Sequence, residues 1–425
     1  MKLAFITPRY GVDIATGPEH GCRLLAEQLS KRRHEVDILT TCARHSSPWK
    51  NEYPEGSDRT RGVLVRRFPV ISSRYAQNEY ELMQQLRNST HSHADELEWV
   101  RKTGPVSPGL IDFLRRNNRH FDALVFFSFR HATTIQGMPI APKRSVLFPS
   151  LRLEPALRLN ITRETIEAAA GIGYFSSVER QLLRLHTHNA TLKEKVVGIG
   201  IQAPPQQADP KLDQETSEEE ESPSNSKLTK STESLEKPYL EQRGSMFKRR
   251  YRLDGKMVLY PGQIKPDTGC EELLEYFDRY AAQDNKARLV LMGTKFMQIP
   301  TEPYLQLSGI LLPSQRFPAL EAADVTIAPE PDDLLAEPVL QSFAVGTPVL
   351  ANARNLATVE HCQLAKGGLY YSNCGEFIEA LQLLTSNEQT RNALGQNARE
   401  YVAKNFRWEV VIRRFEQLLS AIKSS

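Results

Sequence analysis

In the stretch DDLLAEPVLQSFAVGTPVLAN, residues 332–352, three polar side chains, Asp333, Glu337 and Gln341, stand four residues apart. At helical spacing they share roughly one face. The free N–H groups and dipole of a helix start favour a phosphate, and polar side chains a turn or two further on can hydrogen-bond a sugar or ribose. The plainer reading is an acidic N-terminal cap followed by a solvated stripe, and spacing alone favours it. A second stretch, YPGQIKPDTGCEELLEYF, residues 260–277, reads as a strand end, a tight loop and a helix start. Loops of that shape commonly hold phosphates in α/β proteins. Between Pro261 and Gly269, however, the only positive charge is Lys265. The shape invites an anion that the charge does little to hold.

Several common chemistries are absent. Neither glycine-bearing loop, GVDIATGPEHG or PGQIKPDTG, fits GxGxxG, which disfavours a nicotinamide-dependent oxidoreductase. No GxxxxGK[ST], HExxH or GxSxG occurs, which removes P-loop ATPase, zinc hydrolase and α/β-hydrolase readings. His20, His131 and His361 are isolated in sequence and read as structural; His131, in FSFRHATT after a strand, is the one placed to meet an acceptor. Tyr370 and Tyr371 read as core residues. The basic runs KRRHE, FLRRNNRHF and FKRRYR could touch an anionic membrane or a phosphorylated acceptor, although most such runs are solvated helix ends. A net charge of +3 gives no argument for nucleic acid. Five scattered cysteines without CxxC spacing disfavour a disulfide framework or zinc site and fit a reducing cytosol. MKLAFITPRYG has too short an apolar run for a signal peptide, and no run approaches the ~18 apolar residues of a membrane span. The expectation is a soluble cytoplasmic protein with at most peripheral contact at the inner membrane face.

Alternating strands and helices must position these residues. KLAFIT reads as a buried strand, CRLLAEQLSKRR as a helix with Leu24, Leu25 and Leu29 in a stripe, and EVDILTT as the next strand, making a βαβ unit. Strand-like runs recur at VLVRRFPV, ALVFFSF, SVLFPS, GIGYFSS and KVVGIGI, which predicts a parallel sheet covered on both faces. Residues 202–245, rich in Ser, Pro and Gln with an acidic cluster at Glu218–Glu221, offer almost nothing to bury and predict a disordered insert. A second βαβ unit follows, KMVLYPGQ, CEELLEYFDRYAAQ and ARLVLMG. The expected organisation is therefore an α/β chain: a doubly wound, Rossmann-like domain over 1–201, the insert, a second such domain over 246–405 and a terminal helix over 406–425. Each sheet would present its strand C-termini as a ligand crevice, facing the other across a cleft.

TGPEHGCRLLAEQLSKRRHEVDILTTCA, NEYPEGSDRTRGVLVRRFPV, GQIKPDTGCEELLEYF, AEPVLQSFAVGTPVLAN and KGGLYYSNCGEF together resemble the family 4 retaining glycosyltransferases, of the two-domain GT-B fold. The resemblance covers nearly the whole chain outside the insert. It implies transfer of a hexosyl group, with retention and without a metal or other cofactor, from a nucleotide-sugar donor on the C-terminal domain. The acceptor, an oligosaccharide, polysaccharide, lipid-linked or other intracellular one, belongs on the N-terminal domain, onto which the terminal helix crosses back.

Carried over by position, the family's Arg after Gly262 becomes Gln263 and its Lys before the next glycine becomes Thr268. Its paired glutamates, eight apart, become Asp333 and Gln341. Its histidine near the reacting sugar becomes Arg152, while the following Glu154 matches. The glycine pair of the first loop appears as Thr16 and Gly17, with Glu19 matching the acidic residue. The resemblance thus implies Asp333, Arg152 and Glu154 at the reacting sugar. It places Gly262, Gln263, Thr268 and Gln341 on the donor and Gly17 and Glu19 on the acceptor; position in the sequence adds Lys265, Lys295 and Glu337 on the donor side and His131 on the acceptor side. Losing two cations at the leaving group removes stabilisation worth ~3 kcal/mol or more per donor. Lys265 in the loop and Lys295 after the strand ARLVLMG could compensate, the plainer reading being that each is a solvated loop lysine. The substitutions at Arg152, Gln263, Thr268 and Gln341 support a second expectation, a catalytically degenerate relative acting as a binding or scaffold subunit.

Overall fold

The apolar runs become central strands, buried on both faces as parallel sheets require. The computed structural model describes residues 1–71, 76–88, 90–186, 193–202, 243–283, 286–309 and 313–423. Most of the expected insert, residues 203–242, lies outside them. The chain divides into two units, Met1–Gly200 with Trp408–Ser425, and Ile201–Arg407.

In the first unit, among the described residues, the strands are β1 (Lys2–Ile6), β2 (Glu35–Thr41), β3 (Gly56–Thr60), β4 (Val63–Phe68), β5 (Ala123–Phe127), β6 (Ser145–Phe148), β7 (Gly171–Tyr174) and β8 (Lys193–Val196). Their order is β3-β4-β2-β1-β5-β6-β7-β8. All pairs are parallel except β3 with β4, a departure from the expected all-parallel sheet. The sequence GSDRT of β3 carries no apolar residue, so periodicity could not mark it. Its strand is made by the turn: Arg61 and Gly62 have φ of 48° and 86°, the positive values of a type I′ hairpin. The last helix, Trp408–Lys423, packs on this sheet, with the Phe415 ring 6.0 Å from Phe5 and 6.1 Å from Phe148. Gly200 and Gly171 make room for it. A Cβ on Gly200 would lie 2.3 Å from the Trp408 ring, and one on Gly171 would lie 2.9 Å from Ile422.

In the second unit a helix over 243–250 precedes β9 (Lys256–Tyr260), β10 (Ala287–Leu291), β11 (Leu305–Leu307), β12 (Val325–Ala328), β13 (Val349–Asn352) and β14 (Gly368–Tyr371). They form a parallel sheet in the order β11-β10-β9-β12-β13-β14. Both sheets are doubly wound, with the strand order reversing between β1 and β5 and between β9 and β12. Such reversal points open crevices at the strand C-termini. Among the described residues no helix is long and apolar enough to cross a membrane.

Candidate functional site

In the second unit the loop 261–269 forms one lip of the β9/β12 crevice, and close backbone contacts fix its course. Ile264 bridges to Lys295, its N–H donating to Thr294 O at 2.9 Å, while Phe296 N donates to Ile264 O at 2.8 Å. A Cβ on Gly293 would lie 1.9 Å from Gly262 O, so the loops after β9 and β10 touch through glycine. At the other end Gly269, with φ +73°, presses on the residue after β12; a Cβ there would lie 2.3 Å from Pro329 O. The Tyr260 hydroxyl donates to Gln263 O at 2.8 Å. The Thr268 hydroxyl lies 2.9 Å from Gln263 O and 2.7 Å from Lys265 O, so it braces the loop from within. Lys265 pairs with Asp267 at 3.1 Å, and the Lys295 side chain is exposed.

Asp333 precedes the helix Glu337–Val345 instead of lying on it, which corrects the shared face expected for Asp333, Glu337 and Gln341. The Asp333 carboxylate accepts from Leu335 N at 3.1 Å, and Ala336 is left-handed with φ 48°, a conformation a right-handed helix cannot contain. Glu337 and Gln341 do share a face, the Gln341 amide donating to Glu337 at 2.7 Å. Gln341 Oε1 is buried without a hydrogen-bond partner among the described residues.

Sequence reasoning missed Glu330, directly after Pro329 in VTIAPE. Burial first, and then the Asp333 charge, push its carboxyl up to about 7, against the opposing pull of Tyr260 and Lys265. The signal available was an acid just beyond a strand C-terminus. Arg354, paired with Glu272 and 3.2 Å from Asn352 Oδ1, was missed as well. This crevice therefore offers a helix N-terminus at Cys270–Ala281, a lysine at its rim and carboxyl groups suited to sugar hydroxyls.

In the first unit Gly17, with φ +76°, opens the helix Gly17–Ser30, and Glu19 lies in its first turn. Glu19 is buried against Arg9, at 2.9 and 3.0 Å from two guanidinium nitrogens, and Arg9 also reaches Arg44 O at 3.3 Å. Beyond β5, His131 Nδ1 lies 2.8 Å from Ser128 Oγ, its ring edge-on to Trp49. Trp49 in turn donates to Thr103 O at 2.8 Å. Arg130 is held by two carboxylates, Glu154 at 2.8 Å and Glu79 of the helix Ala76–Asn88. Arg152 is exposed. Beneath it the buried Glu179 accepts from Leu151 N, Phe175 N and Ser176 N at 2.9, 2.6 and 3.2 Å, and burial pushes its carboxyl up to about 7. Glu179 thereby ties the loop bearing Arg152 to the loop after β7. Arg9, Arg130 and Glu79 were not foreseen, because a single charge in a loop, or at a helix start as Glu79 is, carries no spacing signal that names its partner.

Of the residues read as core, Tyr371 is buried but Tyr370 is 46% exposed, because alternate positions of β14 face opposite sides. His20 lies 2.9 Å from Arg23, and His361 lies 3.0 Å from the Tyr401 hydroxyl. Among the described residues no group of three or more His, Cys, Asp or Glu side chains could hold a metal ion.

Comparison with known proteins fits this geometry. No curated protein matches the chain in sequence. Sucrose-phosphate synthase from Thermosynechococcus elongatus superposes with a TM-score of 0.64 at 15% identity, over 100% of this chain and 99% of that one. Anabaena HepE in complex with UDP superposes at 0.66 and 11% identity, over 99% and 100%. WaaG, a glycosyltransferase of lipopolysaccharide biosynthesis, superposes at 0.56 and 13% identity, over 100% of both chains. Residues 242–401 match the model of glycosyl transferases group 1. The chain thus has the GT-B fold of two Rossmann-like units, and its second unit carries the glycosyl transferases group 1 segment.

Proposed function

We propose that the protein is a retaining glycosyltransferase, taking a sugar from a nucleotide-sugar donor at the β9/β12 crevice to a carbohydrate or lipid-linked acceptor. The observation that carries this reading is the loop 261–269, pressed by Gly269 onto the end of β12 within the segment matching glycosyl transferases group 1. Gly262, Gln263, Lys265, Thr268, Lys295, Glu337 and Gln341 would meet the donor, and Asp333 its sugar. Gly17, Glu19, His131, Arg152 and Glu154 would serve the acceptor. In a retaining displacement the departing phosphate takes the acceptor proton, so neither a protein nucleophile nor a metal is required. Crystals of HepE contain UDP or UDP-glucose, which makes UDP-glucose the first donor to try.

Calorimetric titration of the full chain with UDP, GDP, ADP and their glucose or mannose conjugates tests the reading. Micromolar binding, weakened about tenfold or ~1.4 kcal/mol by Lys265→Ala and lost in Asp333→Ala, supports it. No heat from a folded sample with any of these ligands overturns it. A second reading, a binding or scaffold subunit without activity, draws on the pairing of Lys265 with Asp267 and on the bracing role of Thr268, which leave the loop poor in cations. Nucleotide binding without glycosyl transfer to any acceptor tried would favour it.

A further inference from the structure

Each sheet ends in two edge strands, whose outward N–H and C=O groups can pair with another chain unless charge, proline or shortness guards the edge. In the first unit β3 (GSDRT) and β8 (KEKV) carry charges, and in the second β11 has three residues. The fourth edge, β14, reads GLYY, with neither charge nor proline. On its inner side Val349 N donates to Gly367 O and Ala353 N to Tyr371 O. Successive residues of a strand point their backbone groups to opposite sides, so Gly368 and Tyr370 turn their N–H and C=O away from β13. Among the described residues no strand lies beyond β14.

Exposed apolar side chains border this edge. Tyr370 is 46% exposed, and on the helix Leu356–Ala365 the side chains of Leu356 and Leu364 are 57% and 63% exposed. At helical spacing Leu356, Gln363 and Leu364 share a face. The Gln363 amide donates to the Tyr370 hydroxyl at 3.4 Å, so that face adjoins the strand. The two ends of the edge carry opposite charges. Exposed Lys366 stands before β14, and after it the exposed Glu376 accepts from Ser372 N at 2.7 Å. That carboxylate has lone pairs to spare for a cation. Set antiparallel about Leu369, a second β14 would place its Tyr370 against Gly368 and its Lys366 against Ser372, where the Glu376 carboxylate sits. The edge is therefore complementary to itself in hydrogen bonds, apolar surface and charge, as a two-fold contact between identical chains requires.

We propose that β14 is a dimerisation edge, pairing antiparallel with β14 of a second copy so that Gly368 meets Tyr370 across a two-fold axis at Leu369 and Lys366 of each copy meets Glu376 of the other. The Gly368–Tyr370 matches exchange about four backbone hydrogen bonds and continue one six-stranded sheet into the next. Because the axis stands perpendicular to the joined sheet, both Leu356–Ala365 helices lie on the same face of it. There Leu356, Leu364 and Tyr370 of the two copies are covered. Strand addition of this kind draws affinity from main-chain hydrogen bonds and register from side chains, here the charges at the two ends.

Sedimentation velocity of the full chain from about 1 to 100 μM tests this, a range over which mass action carries a micromolar dimer from mostly monomer to mostly dimer. Lys366→Glu should weaken the dimer about tenfold or more, because like charges then meet at both ends, and Glu376→Lys should do the same. The double exchange, Lys366→Glu with Glu376→Lys, should restore it. Tyr370→Pro, which removes an outward N–H and spares the β13 ladder, should leave a monomer. A monomer at every concentration overturns the proposal. So does a dimer that keeps its affinity in both Lys366→Glu and Tyr370→Pro, since it is formed by another surface. Hydrogen exchange at the Tyr370 amide separates a third case. Protection that rises with protein concentration supports pairing between copies. The same protection in the monomer means that another segment of this chain covers the edge, and overturns the proposal. Concentration dependence and amide exchange are read on the unsubstituted protein, so the proposal stays falsifiable even if a variant folds poorly.

Discussion

His361 packs its ring against Phe406 and Tyr401, and burial holds its imidazole down to about 4, from an ordinary 6.5. The unfolded chain takes up a proton there near pH 6.5 while the folded chain resists until about 4. Stability therefore rises with pH across that window and is lost as pH falls through it, by up to about 3 kcal/mol. His361→Gln should flatten this dependence, measured by urea unfolding between pH 4 and 7. Glu330 has the opposite sign, because its folded carboxyl titrates at about 7, above the 4.5 of an ordinary glutamate. Its favourable contribution is complete below pH 4.5 and lost as pH rises through 7. Glu330→Gln should match the parent in acid and exceed it by about 1–2 kcal/mol above pH 7, the figure being reduced for partial exposure. A parent-like stability for E330Q at pH 8 would show that the acid is not held neutral by the fold. Neither environment can be read from sequence, where His361 is an isolated histidine and Glu330 one of several acids.

Among the elements, the loop 261–269 depends on glycine where the backbone meets its neighbours. Gly269→Ala must place a methyl 2.3 Å from Pro329 O while keeping φ near +73°, so either the loop or the end of β12 must move. The cost should be about 2 kcal/mol or more. Nucleotide affinity should fall further than unfolding of the sample explains, as titration at a temperature well below the melting point would show. An unchanged affinity would mean that this approach does not shape the site. The strand–loop–helix order of this segment was legible in the sequence because KMVLY is a continuous apolar run and CEELLEYF has a helical stripe. The break between Asp333 and the following helix was not, since a left-handed Ala336 has no propensity signal of its own. β3 and β11 escaped notice for a related reason. One is entirely polar and formed by its turn, and the other has three residues.

For the whole molecule, the decisive connection is the return of the last helix to the first unit. Phe415 is fully buried against Phe5 and Phe148, so Phe415→Ala should cost the first unit about 3–5 kcal/mol. Calorimetry should show a loss confined to one of two transitions, if the units melt separately. A shift only in the transition of the second unit would contradict the assignment of this helix. The parallel strands of the two sheets followed from sequence, though not the antiparallel β3, because strands buried on both faces must be apolar throughout and their crossovers must carry helical stripes. The candidate loops followed as well, since glycine and proline mark where strands turn into helices. Only the tertiary structure decided which charges meet: Arg9 with Glu19, Arg130 between Glu79 and Glu154, and Glu330 beside Tyr260 and Lys265. All but the first of those pairings join segments that follow different strands of the chain, and each has at least one partner in a loop, where side chains obey no period. Their neighbours, and the burial that sets their protonation, exist only once the sheets have placed the strand ends side by side.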